Sequence, residues 1–312
     1  MRLAFLLPAI FFVTAACAQE GPDLPIVGRW DLTVHRQDGN APSWLEVRGS
    51  GHDTLVGRFV GAFGSARPVG QVFYDRGSVR FSLPPQWEEG NGNIEFSGRL
   101  EDGRLSGKLA GPFFGNAPTE GLRAPALKRP SEEVRWGQAV ALFNQVDLQG
   151  LHPRNASAKN GWIVRDRILI NAEPGNDLVT DQTFTDFRVR AEFRLPKGSN
   201  SGLYLRGRYE VQIEDSFGLE PEEHMMGSIY GFIAPRNNPA RPPSEWQTYE
   251  ITLVGRRVTV ALNGQVVIDR AEIPGITGGA LDSREGEPGP LLIQGDHGTV
   301  EFRELTVALP QP

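Results

Sequence analysis

The chain has 312 residues, including 37 Gly and 24 Pro, and its formal net charge is −6 at pH 7. This length is typical of about two domains, and short apolar runs separated by Gly and Pro favour an all-β fold. Acidic and basic residues are mixed and no basic run occurs, which argues against a nucleic-acid partner. No phosphate-binding loop, dinucleotide-binding glycine motif or HExxH motif is present, so we expect no nucleotide cofactor.

Residues 1–18 are predicted to be an export signal. An apolar run, Leu3 to Val13, is too short to span a bilayer and is followed by small residues up to Ala18. Two processing routes are open. Cleavage after Ala18 would release a periplasmic protein, whereas lipid attached to Cys17 would anchor the protein in a membrane. Cys17 is the only cysteine, so the mature domains have no disulfide.

Residues 19–125 are predicted to form an N-terminal β domain. Seven or eight short strand-like segments are separated by turn sequences such as Asp75-Arg76-Gly77. This spacing predicts a small antiparallel barrel or sandwich. Trp44 and Trp87 could line a sugar-stacking surface, but large aromatic side chains more often fill a core.

A linker at residues 126–139 is predicted to separate this domain from the next. The boundary is placed within Pro118 to Pro130, which is rich in Pro and Ala and has little periodicity. Ser131 to Ala141 could form a short helix, because Ser131 suits an N-cap position and acidic residues follow it.

Residues 140–312 are predicted to form an antiparallel sandwich of two sheets, with about a dozen strands. Asn263-Gly264 is the strongest two-residue hairpin signal in the chain. Residues 215–241 form a long segment without strand periodicity, and such segments inside compact domains are often functional.

The segment Asn200 to Asp215 is predicted to be two short strands around a tight turn. A two-residue loop, Gly207-Arg208, would place Arg206 on the sheet face opposite Glu210, whereas a three-residue loop with a bulge could bring them together. Glu210 and Gln212 share one face and lie roughly 7 Å apart. A solvated sheet face is the simplest explanation of these polar residues, and a binding site is the alternative.

Other polar candidates lie in the long loop, which contains Tyr230, and in the closing turn, which contains Gln294, Asp296 and His297. An Asp beside a His on a Gly-flanked turn could orient the imidazole for general-base catalysis or hold a metal. Ordinary turn chemistry explains the same pair equally well.

The second domain resembles the 3-keto-disaccharide hydrolase family from about residue 141 to residue 309. The motifs that carry the resemblance occur in the family's order: Leu142-Phe143-Asn144, Trp162-Ile163-Val164, Asn200-Ser201-Gly202-Leu203-Tyr204-Leu205-Arg206-Gly207, Tyr209-Glu210-Val211-Gln212-Ile213, Gly227-Ser228-Ile229-Tyr230-Gly231, Trp246-Gln247-Thr248-Tyr249, Asn263-Gly264 and Gly289-Pro290-Leu291-Leu292-Ile293-Gln294. The family ending Gln-Asp-His-Gly appears here with Gly295 inserted after Gln294. The N-terminal domain lies outside the resemblance.

The resemblance implies a concanavalin-like jelly-roll sandwich that acts on glycosides or oligosaccharides oxidised to the 3-ketone. A ketone at C3 acidifies the proton on C2. A base can remove that proton, the C1 substituent can then leave, and addition of water completes glycosidic cleavage. A separate sugar 3-dehydrogenase would be a candidate source of the ketone.

Under this hypothesis His297 or Glu210 is the catalytic base, and Asp296 orients His297. The sugar or its enolate would be bound by Arg206, Gln212, Tyr230 and Gln294. A divalent metal bound by Glu210, Asp215 and His297 could act as a Lewis acid. Two alternatives stay open: a non-catalytic carbohydrate-binding module, and a glycoside hydrolase with two carboxylates, such as Glu210 and Asp215.

Overall fold

The computed structural model describes residues 24–127 and 134–311. The predicted export signal and Cys17 lie outside these residues. Every regular element in the described ranges is a β-strand, which confirms the all-β prediction. In these ranges no helix is long and apolar enough to span a membrane.

The N-terminal domain is a closed antiparallel barrel of eight strands, in which β1 pairs with both β2 and β8. Its strands are β1 (Gly28–Arg36), β2 (Gly39–Ser50), β3 (Thr54–Val60), β4 (Arg67–Asp75), β5 (Ser78–Leu83), β6 (Ile94–Glu101), β7 (Arg104–Gly111) and β8 (Gly115–Arg123). Alternate residues point inward, so Trp30, Leu45 and Phe59 are fully buried in the barrel core. Of the two predicted shapes, the barrel is therefore the one observed.

β8 continues through Pro118, so the first residues of the predicted boundary segment, Pro118 to Pro130, belong to the barrel. Pro118 pairs with Lys108, and the neighbouring Ala117 and Thr119 are buried in the barrel. A strand tolerates Pro where its missing N–H is not needed for the ladder. The short helix considered for residues 131–141 is also not observed in the described part of that segment. Residues 134–139 are not helical, and Trp136 forms an isolated β-bridge instead.

The second domain contains two antiparallel sheets that enclose one apolar core. One has the order β10-β13-β20-β15-β16, and the other has the order β11-β12-β21-β14-β17-β18-β19, with β9 also paired to β21. The strands are β9 (Val140–Ala141), β10 (Leu151–Pro153), β11 (Trp162–Arg165), β12 (Ile168–Asn171), β13 (Leu178–Phe184), β14 (Phe187–Arg194), β15 (Asn200–Leu205), β16 (Tyr209–Glu214), β17 (Gln247–Val254), β18 (Arg257–Leu262), β19 (Gln265–Glu272), β20 (Gly289–Ile293) and β21 (Glu301–Ala308). The predicted two-sheet sandwich is thus confirmed.

Of the two loop lengths considered for the turn between β15 and β16, the three-residue loop is the one observed. Leu205 pairs with Tyr209, so the connection has three residues, and Arg206 and Gly207 both adopt positive φ. This register places Tyr204 directly opposite Glu210. At the other hairpin the prediction is confirmed, because Asn263-Gly264 forms a two-residue loop between paired strands.

The barrel packs directly on loops of the sandwich. Trp44 is fully buried and belongs to the core cluster of the sandwich, where its ring meets Phe232 edge-on at 5.3 Å. Of the two interpretations of Trp44, the core role is therefore confirmed and the sugar-stacking role is wrong. The Gly279 amide donates to the Ala62 carbonyl at 2.8 Å, which ties the loop after β19 to the loop after β3. The two domains thereby meet beside the hairpin.

Candidate active site

A cleft lies at the place where the β15–β16 hairpin, the closing turn and the barrel meet. Its lining includes the predicted Glu210, Gln212, Tyr230, Gln294, Asp296 and His297, together with Phe63, Gly64, Arg154, Asp177, Asn200, Tyr204, Gly278 and Gly279. The structure therefore brings most of the predicted residues into one space, and their catalytic or binding roles stay predictions.

Glu210 is a buried carboxyl group on β16, with 3% of the residue exposed. Burial raises its pKa to about 8, although the Tyr204 hydroxyl and the charge of His297 oppose this shift. The Tyr204 hydroxyl lies 2.9 Å from Oε2 of Glu210 and 3.0 Å from the Gly278 carbonyl. Its one proton can go to either acceptor, so Tyr204 can partner Glu210 whether that group is ionised or protonated. At neutral pH the protonated form predominates.

The space for the Glu210 carboxyl group depends on Gly202, on the neighbouring strand β15. A Cβ at this position would lie 2.3 Å from Oε1 of Glu210, which is closer than carbon and oxygen can approach. The observed position of the Glu210 carboxyl group therefore requires glycine at residue 202.

Asp296 and His297 form a hydrogen-bonded pair, with 2.5 Å between Oδ1 and Nδ1. The bond to Asp296 raises the pKa of His297 above its ordinary 6.5. Burial alone would raise the pKa of Asp296, but the hydrogen bond and charge of His297 hold it below its usual range. Because an ionised carboxylate only accepts, it holds the imidazole proton on Nδ1 and leaves Nε2 as the basic nitrogen of neutral His297.

The inserted Gly295 is accommodated by buried polar side chains. Its amide donates to Oδ1 of Asp177 at 3.0 Å, and its carbonyl accepts from the buried Asn171 side chain at 2.9 Å. The same Asn171 amide group donates to the Gly298 carbonyl at 2.8 Å. The closing turn is therefore anchored on both sides of the Asp296–His297 pair.

Arg154 and Asp177 are residues of the cleft that the sequence interpretation missed. Arg154 Nη1 donates to Oδ2 of Asp177 and to the Gly279 carbonyl, both at 3.0 Å. Because the Arg154 guanidinium forms an ion pair with the Asp177 carboxylate, that acid already has a partner within the protein. Arg154 also fixes the Gly279 segment that borders the cleft.

The remaining predicted binding residues differ in how they are held. Gln212 is buried, and its Oε1 accepts from the Ile213 amide at 3.0 Å. Burial raises the pKa of Tyr230 to about 12, so its phenol is a neutral donor. The side-chain oxygen of Gln294 is buried and has no hydrogen-bond partner within the described residues. Such an atom is costly unless a ligand satisfies it.

Two predicted site residues, Arg206 and Asp215, do not line the cleft, and their predicted roles there are corrected. Arg206 is 1% exposed, and its guanidinium donates to the Gly255 carbonyl at 2.9 Å and the Tyr209 hydroxyl at 3.0 Å. Oδ2 of Asp215 accepts from the Gly198 amide at 2.9 Å. Arg206 is thus a structural residue, and Asp215 supports a turn.

The predicted metal ligands Glu210, Asp215 and His297 do not fit a shared metal. Asp215 lies outside the lining of the cleft, and the carboxyl group of Glu210 is buried against Tyr204. Within residues 24–127 and 134–311, no group of three or more His, Cys, Asp or Glu side chains is arranged to hold a metal ion.

Residues 138–308 match the family described as 3-keto-alpha-glucoside-1,2-lyase-like domain. Among curated proteins, none matches the chain.

Three solved structures match the chain over part of its length. A "putative glycosyl hydrolase" from Parabacteroides distasonis ATCC 8503 is 24% identical, with a TM-score of 0.46, and the match covers 58% of this chain and 92% of that one. The carbohydrate-binding module CBM66 from Bacillus subtilis is 14% identical, with a TM-score of 0.38 and coverage of 51% and 96%. SCLam, a non-specific endo-beta-1,3(4)-glucanase from family GH16, is 12% identical, with a TM-score of 0.37 and coverage of 58% and 93%.

The family match spans more than half of the chain and excludes the barrel, which ends with β8 at Arg123. Through its second domain, this chain belongs to the 3-keto-alpha-glucoside-1,2-lyase-like family.

Proposed function

We propose that this protein cleaves the glycosidic bond of 3-keto-glycosides by elimination followed by hydration. The observation that carries the proposal is the pairing, in one cleft, of a buried Glu210 whose pKa is about 8 with an imidazole backed by Asp296. Two titratable groups with such different environments are suited to separate acid and base roles. Membership of the family supplies the substrate class.

In this mechanism neutral His297 is the base. Its Nε2 removes the proton from C2 of the sugar, and the C2–H electron pair forms the enolate of the C3 ketone. The enolate then returns its electrons, C1=C2 forms, and the bond between C1 and the glycosidic oxygen breaks. Glu210 donates its proton to that departing oxygen. Tyr230, Gln212 and Gln294 are the neutral polar groups available to bind sugar hydroxyls and the C3 oxygen.

The hydration step returns Glu210 and His297 to their starting protonation states. The carboxylate of Glu210 accepts a proton from the water that adds to C1, while the imidazolium of His297 returns a proton to C2. The products are the released alcohol and a free 3-keto sugar, so one water is consumed for each bond cleaved.

The alternative of two carboxylates is less well supported, because its second acid, Asp215, is outside the cleft. The other acids of the cleft are already engaged, Asp177 by Arg154 and Asp296 by His297. A non-catalytic binding module has no need for a buried acid with a raised pKa, since burying that group costs stability.

The test is to incubate the purified protein with methyl 3-keto-α-glucoside and to follow ultraviolet absorbance. Elimination forms a conjugated C1=C2–C3=O enone, whereas direct hydrolysis cannot. Methyl α-glucoside, which lacks the ketone, is expected to stay intact. Equal cleavage of both compounds without the enone would contradict elimination.

His297→Asn should lower the rate at least about 100-fold, as expected for loss of a general base. His152→Asn is the matched control, because His152 forms a similar pair with Asp181 on the exposed surface, 2.7 Å apart. Full activity of both His297→Asn and Glu210→Gln would overturn the assignment.

A further inference from the structure

The barrel contributes directly to the cleft, although it lies outside the family match. Its loop after β3 places Phe63 and Gly64 in the lining that also contains Glu210 and His297. The loop is tightly seated, since a Cβ at Gly278 would lie 2.3 Å from the Gly64 carbonyl oxygen. The barrel is therefore a wall of the site.

Three aromatic side chains of the barrel form one group, here named the aromatic rim: the exposed Phe63 and Phe113 and the half-buried Trp87. Phe63 is 46% exposed and Phe113 is 37% exposed. Ring centroids are 5.4 Å apart for Phe63 and Trp87, and 4.7 Å apart for Trp87 and Phe113. Exposed apolar groups that continue into a cleft commonly mark a ligand surface.

Trp87 holds Phe63 in place. Its indole Nε1–H donates to the Phe63 carbonyl at 2.7 Å, and the two rings meet edge to face. The loop that carries Trp87 is fixed by a buried ion pair between Arg67 and Glu88, at 2.9 Å. The Phe63 ring is consequently presented by a rigid support, which lowers the entropy lost when a ligand stacks on it.

Within the rim, Phe63 is the member best placed for the ligand. The guanidinium of Arg36 lies 3.5 Å from the centre of the Phe113 ring and covers one of its faces. Phe63 alone of the three lines the cleft. The cleft therefore has polar residues such as Gln212 and Gln294 on its sandwich side and Phe63 on its barrel side.

We propose that Phe63 binds the leaving group of the substrate when that group is itself a sugar ring, and that Trp87 is its positioning residue. A pyranose has a polar edge and an apolar face of C–H groups, which matches a cleft with one polar and one apolar wall. Phe63 thereby sets selectivity for disaccharides over glycosides of small alcohols. This inference rests on the proposed 3-keto-glycoside cleavage.

The experiment compares two substrates, 3-keto-maltose and methyl 3-keto-α-glucoside, by kcat/KM. In Phe63→Ala the ratio of disaccharide to methyl glycoside is expected to fall about tenfold, the scale of one lost aromatic contact. Trp87→Phe keeps a ring but loses the bond to the Phe63 carbonyl, so its ratio should fall less. Phe73→Ala is the matched control, because Phe73 is 50% exposed on the same barrel but lines a different surface.

The outcomes separate the two proposals. If the native protein turns over neither substrate, the proposed function fails and this inference falls with it. If it turns over both and Phe63→Ala leaves the ratio unchanged, only the role of Phe63 is overturned. The oligomeric state of Phe63→Ala is measured by sedimentation. If it changes while the ratio of the two kcat/KM values does not, the aromatic rim is a contact between proteins, and the inference is likewise overturned.

Discussion

Tyr204 and Glu210 face each other across the β15–β16 hairpin, and the phenol hydroxyl lies 2.9 Å from Oε2 of the carboxyl group. Both residues are nearly inaccessible to water. Desolvation raises the pKa of Glu210, and the hydrogen bond from Tyr204 lowers it. The hairpin therefore adjusts the acid by two opposing effects, and the value of about 8 is their balance with the neighbouring charges.

Tyr204→Phe should shift the alkaline limb of kcat/KM to higher pH. In the proposed mechanism the limb reports loss of the Glu210 proton near pH 8, and removal of a bond that favours the ionised form raises that pKa further. The free energy of unfolding should fall by about 1 kcal/mol for the lost hydrogen bond. A pH profile of methyl 3-keto-α-glucoside cleavage measures the limb.

Glu210→Gln provides the control for this profile, because a carboxamide does not titrate. Its residual activity should show no alkaline limb. A limb that stays near pH 8 in Glu210→Gln belongs to another group, and a limb that moves to lower pH in Tyr204→Phe contradicts the stabilising role of the phenol.

Asp296→Asn should lower kcat by about 100-fold or more and move the acidic limb to lower pH. The carboxylate raises the pKa of His297 in the native protein. Without its charge, His297 loses its proton at lower pH but is a weaker and less well oriented base. Asp181→Asn changes the comparable surface pair with His152 and should leave the profile unchanged. An acidic limb that moves upward would exclude His297 as the base.

The sequence predicts the fold class and most of the cleft, but strand register decides why the role of Tyr204 is missed. A two-residue loop at Gly207-Arg208 would pair Glu210 with Leu205, so Tyr204 has no visible role. The actual three-residue loop shifts the pairing by one residue and exchanges that partner for Tyr204. Loop length decides cross-strand partners, and the positive φ of Arg206 that permits this loop is not evident from its residue type.

Contacts between the domains also cannot be predicted from local sequence patterns. Phe63 lies in a short loop of the barrel, and no local pattern relates it to Glu210, almost 150 residues later in the chain. Trp44 illustrates the converse, since its ring is buried in the core of the other domain. Periodicity identifies buried faces within a strand, but tertiary packing decides which domain buries them.

Gly202→Ala should abolish most activity while the protein stays folded. The added methyl group would lie 2.3 Å from Oε1 of Glu210, so the carboxyl group must leave its position beside Tyr204. Overpacking of this kind costs about 1–3 kcal/mol. Thermal unfolding and kcat/KM measured together separate the two effects. Gly70→Ala is the control, because a Cβ there meets nothing within 4 Å. Unchanged kcat/KM in Gly202→Ala would show that the Glu210 position is not critical.

We expect the stability of the protein to depend on pH because of Asp31, a buried acid at the junction of the two domains. It lies on β1 of the barrel and is 7% exposed. Burial and the nearby Glu285 carboxylate raise its pKa to about 9, and the guanidinium groups of Arg256 and Arg208 oppose this only partly. Glu285 is itself held by Arg256 through two hydrogen bonds. The folded protein therefore retains a proton on Asp31 at neutral pH.

The sign of the effect follows from linkage. Between the ordinary Asp pKa of 3.8 and about 9, the folded state binds one more proton than the unfolded state. The stabilisation from this proton is complete below pH 3.8 and is lost as the pH rises to about 9. Its contribution to the free energy of unfolding thus falls by up to about 1.4 kcal/mol per pH unit in this window.

Asp31→Asn removes the requirement for the proton while keeping the size of the side chain. Its melting temperature should fall less steeply between pH 5 and about 9 than that of the native protein, so the difference between them grows in favour of the variant as the pH rises. Asp53→Asn, in the exposed turn after β2, controls for the change in net charge. If the melting temperatures of Asp31→Asn and the native protein change in parallel with pH, Asp31 is ionised in the folded state. The predicted proton on Asp31 is then wrong.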